Sequence, residues 1–477
     1  MDFGKNRIQY QDFTWTYLDY DRYRVYSYQG GNELARYVSV SVARQLPVLE
    51  KRLDYQAEDK INVLVYNNQG DFKQSNLGLS SEEQTNIGGL TRIIGDKVSV
   101  FFNGSHAELD QQIRAALAEL LVNKIMYGGN AREMVRNSTL LNVPEWYSQG
   151  LIKYLSEGWS SYNDNMLYDD LRNNNFNSFN RLTGKQAAQA GHALWYFIVT
   201  TYGESMIPNL LYMTRVTRSP ENAFITTLGV TLPNLSYDFT EAYQRRLFMY
   251  KDSLRRSPIN ENSILKKYRP HRHYYQPRVS PDGDKVIYAR NELNQIRVYL
   301  KNVDDKQTGK RLLKFGPKVE QLADYNYPLL NWHPNGNIVA MIYERKDQLI
   351  LHTYDLENKE QVKRNLPNFE KINSFSYSND GKKIVLSAVK KGKGQSDIFV
   401  FGLNTSAIEQ LTNDAWDDLN PVFVKNSKQV VFESNRINDT IKPADDAQPF
   451  LKAARNMDLF MAPYPFKSRV LVRVSST

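Results

Sequence analysis

Two stretches have the layout of the helix pair that carries a metal site, with other residue types at the ligand positions. Gln112–Gly129 reads QIRAALAELLVNKIMYGG, and Val143–Tyr154 reads VPEWYSQGLIKY. In the first, Ile113, Leu117, Leu120, Leu121 and Ile125 recur at helical spacing, and Gly128-Gly129 stops the pattern. The second is a helix start after Pro144. A helix followed by a second helix is a frame for zinc hydrolysis. Two imidazoles at i and i+4 share one face, and a glutamate beside the first aims at the metal-bound water. A carboxylate from the second helix closes the third corner, and the bound water then ionises near neutral pH.

The frame is present and its chemistry is replaced. Tyr127-Gly128-Gly129 and Trp146-Tyr147-Ser148-Gln149-Gly150-Leu151 carry a resemblance. The pair resembles the gluzincin, or peptidase-MA-like, domains joined to TolB-like propellers in envelope proteins of Bacteroidota. In that family the first helix bears H-E-x-x-H and the second W-F-S-E-G-L. Matched to it, the H-E-x-x-H positions fall on Ala115, Ala116, Leu117, Ala118 and Glu119, and the third ligand on Gln149. A register that keeps Glu119 as the base puts Ala118 and Val122 at the histidines. The expectation is therefore no catalytic residue, no metal and no cofactor. The alternative is a zinc-dependent or otherwise altered peptidase, with a site built on Glu119 and Gln149. Restoring Ala115→His, Ala116→Glu, Glu119→His and Gln149→Glu together is expected to create zinc binding on an intact frame.

Composition bounds the rest. The chain has 477 residues, 41% of them hydrophobic, which implies more than one globular domain. It has no cysteine, which excludes disulfides, thiolate zinc sites and thiol catalysis. The net charge of +9 comes from 61 basic and 52 acidic residues. No nucleic-acid module accompanies that excess, and its densest run, Lys251–Arg272, reads as a solvated linker. No apolar run is long enough to span a membrane. Met1–Asn6 reads as a mature start behind an added methionine, so an export signal is expected to have been removed.

Along the chain, Phe13–Tyr17 and Tyr23–Tyr28 alternate as strands, and Glu33–Leu53 reads as a long helix. Ile61–Tyr66 reads as a strand, and Asn67–Glu83 as a polar loop. Ile87–Arg92 and Lys97–Phe102 read as a hairpin about Gly95-Asp96. The Ile87–Phe102 edge could add an extended peptide as a further strand. Ser160–Ser178 reads as a solvated loop, and Gln186–Tyr202 as an apolar helix with His192 packed in it. His106 and His192 are the two histidines of this half. Glu204–Arg215 and Tyr237–Leu247 read as two more helices.

From about residue 270 a repeat takes over. Ser280-Pro281-Asp282-Gly283, His333-Pro334-Asn335-Gly336 and Ser378-Asn379-Asp380-Gly381 each precede a β-branched run. Lys425-Asn426-Ser427-Lys428 is a worn fourth copy. Gly283, Gly336, Gly381 and Ser427 stand 45 to 53 residues apart, the length of a propeller blade. The pattern resembles the WD40-like repeats of TolB. Four to five blades are countable before Thr477, so the ring as given reads as incomplete. His271 and His273 read as linker residues; Trp332-His333 and Trp416-Asp417-Asp418 read as propeller loops.

The fold class expected is multidomain α+β. Residues 1–255 form a pseudo-gluzincin α/β domain, 256–270 a basic linker, and 271–477 an all-β propeller. The resemblance implies a periplasmic or outer-membrane-associated binding or scaffold protein. Its partners would be envelope proteins, as in an outer-membrane assembly, transport or secretion complex.

Overall fold

The computed structural model describes residues 9–75, 96–128, 141, 143–172, 179–250, 264–265, 269, 272–304, 309–316, 318, 323–441, 456–466 and 470–475. The N-terminal half begins with a four-stranded sheet, β1 (Thr16–Asp19), β2 (Tyr23–Ser27), β3 (Ile61–Tyr66) and β4 (Lys97–Phe101), in that spatial order. β1 is antiparallel to β2; β2, β3 and β4 run parallel. The long crossover from β2 to β3 is α1 (Asn32–Leu53). Its apolar stripe, including Leu34, Val38, Val42, Leu46 and Leu49, is buried. β4 has β3 as its paired neighbour among the described residues, and Ile87–Arg92 lies outside them.

α2 (Gln69–Gln74) corrects the expected loop at Asn67–Glu83. The Asn68 side chain accepts from the Asp71 N–H and starts the helix. The segment is polar yet buried, because the C-terminal half covers it.

α3 (His106–Tyr127) follows β4 directly, with Ser105 as its N-cap. α4 (Glu145–Glu157) crosses it, and α5 (Ser161–Arg172) comes next. α5 corrects the expected loop at Ser160–Ser178. Asn163, Leu167 and Leu171 form a narrow buried stripe, and Trp159 Nε1 donates to Asp164 at 2.9 Å. α6 (Gly184–Tyr202), α7 (Met206–Thr217), α8 (Pro220–Leu228) and α9 (Leu232–Tyr250) follow. α4 and α6 meet at Gly150 and Gly191. A methyl on Gly191 would collide with the Trp146 carbonyl, so the two backbones touch only because both positions are glycine.

Among the described residues, the C-terminal half forms four antiparallel four-stranded sheets. Blade 1 is β5 (His273–Val279), β6 (Lys285–Glu292), β7 (Gln295–Asn302) and β8 (Lys310–Phe315). Blade 2 is β9 (Leu329–Trp332), β10 (Ile338–Arg345), β11 (Gln348–Asp355) and β12 (Gln361–Asn365). Blade 3 is β13 (Phe369–Tyr377), β14 (Lys383–Lys390), β15 (Ser396–Gly402) and β16 (Ile408–Gln410). Blade 4 is β17 (Asp418–Val424), β18 (Gln429–Ser434), β19 (Asp458–Pro463) and β20 (Val472–Arg473).

The repeat motif is the turn between the first two strands of each blade. In blade 1 the Ser280 hydroxyl donates to Asp282 at 2.5 Å and accepts from the Lys285 N–H at 2.9 Å. Ser378 does the same with Asp380 and Lys383. Gly283, Gly336 and Gly381 all take positive φ, 85°, 75° and 69°. The worn copy holds Lys425, Asn426 and Ser427 at positive φ without a glycine. Apolar side chains seal each pair of blades. Between blades 3 and 4, Val385, Ile398 and Val400 pack on Val430, Phe432 and Phe460.

Candidate functional site

Where α3 and α4 meet, the positions matched to the zinc ligands hold Ala115, Glu119 and Gln149. Ala115, Ala116 and Ala118 are fully buried, and Leu117 is buried with them. A methyl has no lone pair to offer a metal. Glu119 is a buried carboxylate, and Gln149 is half-buried. Ala115 and Ala116 sit inside the main core, so side chains grafted there would have to displace packed neighbours. Among the described residues, one group of three His, Asp or Glu has ligand atoms within 4.8 Å of one another, and it lies in the propeller, not on α3 or α4.

The two histidines of this half do not meet in one site. His192 is buried against Trp159, with Nδ1 3.1 Å from Asn163 Nδ2. Burial pushes its pKa down to about 3, so it is a neutral packing group at neutral pH. His106 opens α3 and faces the propeller. Its backbone N–H donates to Asp417 Oδ2 at 2.7 Å, and its Nδ1 lies 2.7 Å from Asp417 Oδ1. A carboxylate thus caps the positive end of α3. Of the propeller loop residues singled out by sequence, Asp417 makes this contact. Asp418 pairs with Arg436, and Trp332 is buried with Nε1 donating to the Arg278 carbonyl at 3.0 Å. His273 is exposed on β5, and His271 lies outside the described residues.

Asp417 is one part of a wide dock. The Ser396 hydroxyl donates to the Gly104 carbonyl at 2.6 Å, and Lys393 pairs with Glu33 at 3.1 Å. Val389 of blade 3 joins the N-terminal hydrophobic core. α2 lies on blades 2 and 3. Gln74 donates to Asp347 at 3.1 Å, Asn68 reaches Glu370 at 3.4 Å, and Gly70 lies against the Glu344 carboxylate. Sequence reasoning missed this surface. Its partners are hundreds of positions apart, and α2 is the one polar segment whose burial signals it.

The dock gathers carboxylates. Asp71 is fully buried; Tyr28 and Gln11 donate to it. Burial pushes it up to about 8, with Asp347 and Glu370 adding to that and the Tyr28 hydroxyl opposing it. Burial pushes Glu344 up to about 7; Asp324 and Asp347 add, while Lys73 and Lys371 oppose. Burial also raises Asp347 and Glu370, and Lys391 opposes both shifts. A carboxyl held above its ordinary value makes the folded, docked state bind extra protons. Its contribution is complete below the ordinary carboxylate pKa and is lost as pH rises through about 7 to 8. Tm is therefore expected to fall between about pH 6 and about pH 9, and Glu344→Gln to flatten that fall. A wild-type Tm that stays level over this range would show that the cluster does not set the dock's stability.

A cavity of about 440 Å³ lies away from this interface, among α1, α3, α4 and α6. Arg44, Arg52, Arg114, Tyr154, Trp159 and Tyr196 line it. Arg44 pairs with Asp110 at 2.8 Å and Arg52 with Glu204 at 2.5 Å, so much of its charge is already answered.

No family model matches the chain. No curated protein matches it. Among solved structures, TolB from Acinetobacter baumannii is similar over 43% of this chain and 44% of that one, at 14% identity and a TM-score of 0.32. The β-propeller domain of the Trilobed protease from Pyrococcus furiosus matches over 43% of this chain and 58% of that one, at 13% identity and a TM-score of 0.29. The tricorn protease matches over 38% of this chain and 17% of that one, at 19% identity and a TM-score of 0.26. The chain spans less than two thirds of each. The identification of blades rests on the strand pairing and the repeated turns described above.

Proposed function

We propose that this chain is a non-catalytic binding and scaffold protein of the cell envelope. A pseudo-metallopeptidase domain is fixed to an interaction propeller. One observation carries the reading: the positions that would ligate zinc are Ala115, Glu119 and Gln149, and the alanine is sealed in the core. The sheet, α3 and α4 remain as support. The dock to blades 2, 3 and 4 gives that support a structural use. The resemblance supports a periplasmic or outer-membrane-associated place and a role as a subunit of an assembly, transport or secretion complex. Among the described residues no helix is long and apolar enough to cross a membrane. β4, paired with β3 alone among the described residues, supports a second contact, a peptide added along its edge.

Metal analysis of the purified chain tests the non-catalytic reading. A working site of this class keeps about one zinc per chain. The expected result is zinc far below that level, no peptide hydrolysis, and no change in either with Gln149→Ala. Zinc near one per chain that is lost in Gln149→Ala would establish the altered peptidase instead. Capture from native envelope then tests the scaffold role, with an outer-membrane protein expected at near one to one.

A further inference from the structure

Three guanidiniums and three aromatic rings wall the cavity among α1, α3, α4 and α6. Arg44 and Arg52 come from α1, Arg114 from α3, Tyr154 from α4, Trp159 from the connection to α5, and Tyr196 from α6. Glu157 is the one carboxylate on the lining among the described residues. We propose that this cavity binds a small organic oxyanion, a carboxylate or phosphate carried on a flat ring. Its volume of about 440 Å³ lies within the range of small-molecule sites, about 300 to 1,000 Å³. The site is separate from the positions matched to zinc ligands, so it does not depend on the non-catalytic reading.

The arginines supply the charge. A guanidinium presents a planar fork of N–H donors that matches the oxygens of a carboxylate or phosphate. The carboxylates that pair with Arg44 and Arg52 stand outside the lining. Arg44 Nη2 donates to Asp110 at 2.8 Å, and Arg52 Nε donates to Glu204 at 2.5 Å. Arg114 donates from Nε to Gln45 Oε1 at 3.1 Å and from Nη1 to the Ser156 carbonyl at 2.9 Å. Gln45 is buried and donates to Ser41 at 2.6 Å, and Ser41 donates to Asp110 at 2.5 Å. These bonds order the arginines beforehand, so a bound anion does not bear that cost. Glu204 is exposed, and its pair with Arg52 is of the weak surface kind that an incoming oxyanion can rival. Lys153 pairs with Glu157 and offsets the like charge that an anion would meet.

The rings supply the shape. Trp159 and Tyr196 stack in parallel, with centroids 4.3 Å apart and planes at 5°. Trp159 Nε1 donates to Asp164 at 2.9 Å, which fixes the indole. The Arg52 guanidinium lies 5.2 Å from the centre of the Tyr154 ring, so charge and apolar surface meet in one wall. A flat ring with an anionic substituent matches that wall. A bare ion leaves the aromatic surface unused, and a neutral ring leaves the arginines unused.

The test titrates the full chain in a calorimeter with phenyl phosphate, benzoate, inorganic phosphate and benzyl alcohol. One of the two ringed anions is expected to bind at one per chain, at least about tenfold tighter than inorganic phosphate and than benzyl alcohol. Whichever binds tighter identifies the head group. Arg52→Gln is expected to weaken that binding at least about tenfold and to melt close to the wild type, because the pair it loses is at the surface. Arg44→Gln serves as a second variant should the first fail to fold, with the same loss expected. Failure of both ringed anions to bind would overturn the proposal. So would benzyl alcohol binding as tightly as they do. Binding that is equally tight in the arginine variants would also overturn it, since the ligand would then sit elsewhere.

Discussion

Asp417→Ala should loosen the N-terminal half from the propeller and lower stability by about 3 to 5 kcal/mol. The carboxylate receives the His106 main-chain N–H and faces its ring nitrogen, each at 2.7 Å, with both residues buried. Removing it leaves a helix N-terminus and an imidazole without their anion in a closed interface. Asp417→Asn keeps one acceptor and should cost less. The measurements are Tm and the radius of gyration by small-angle scattering. The expected variant expands while the near-ultraviolet signal of the blades persists. An Asp417→Ala variant as compact and as stable as the wild type would mean that the dock rests on α2 and blade 3 alone.

The second large effect belongs to Arg436. Its side chain is fully buried; it pairs with Asp414 and Asp418, and lies 5.7 Å from the rings of Phe432 and Phe460. Arg436→Met keeps much of the apolar packing and removes the charge. Three buried carboxylates then face one another, so the expected loss is about 3 to 5 kcal/mol, centred on blade 4. Adding Asp418→Asn should restore part of it, because the double change removes both sides of the pair. Urea melts of the two single variants and the double variant form the cycle. Strict additivity would show that the pair does not couple and that Arg436 acts through packing alone.

How far these features could be read in the sequence depended on how local their causes are. The blades were legible because their turns are local. Ser, Asp and Gly at fixed offsets build the same hydrogen bonds at Ser280 and Ser378, and spacing alone reveals the repeat. α1, α3, α4 and α6 were legible from apolar residues at helical spacing. α2 and α5 were not, because both are short and polar and owe their burial to what packs over them. Which residues stand at the matched positions, Ala115, Glu119 and Gln149, is a matter of residue type alone. The dock could not be read in the sequence, because His106 and Asp417 stand 311 positions apart and neither signals the other. The pairs of Arg436 with Asp414 and Asp418 were missed although Asp418 was singled out, because residue type does not mark a guanidinium as buried.

The dock also gives the molecule a polarity. It uses the β10–β11 and β14–β15 turns and the approaches to β13 and β17, which lie at one end of the blades. Successive turns of an antiparallel meander alternate ends. The repeated Ser280, His333 and Ser378 turns therefore open at the other end, away from the N-terminal half. One end of the blades is committed to holding the N-terminal half, and the repeated turns stand at the other.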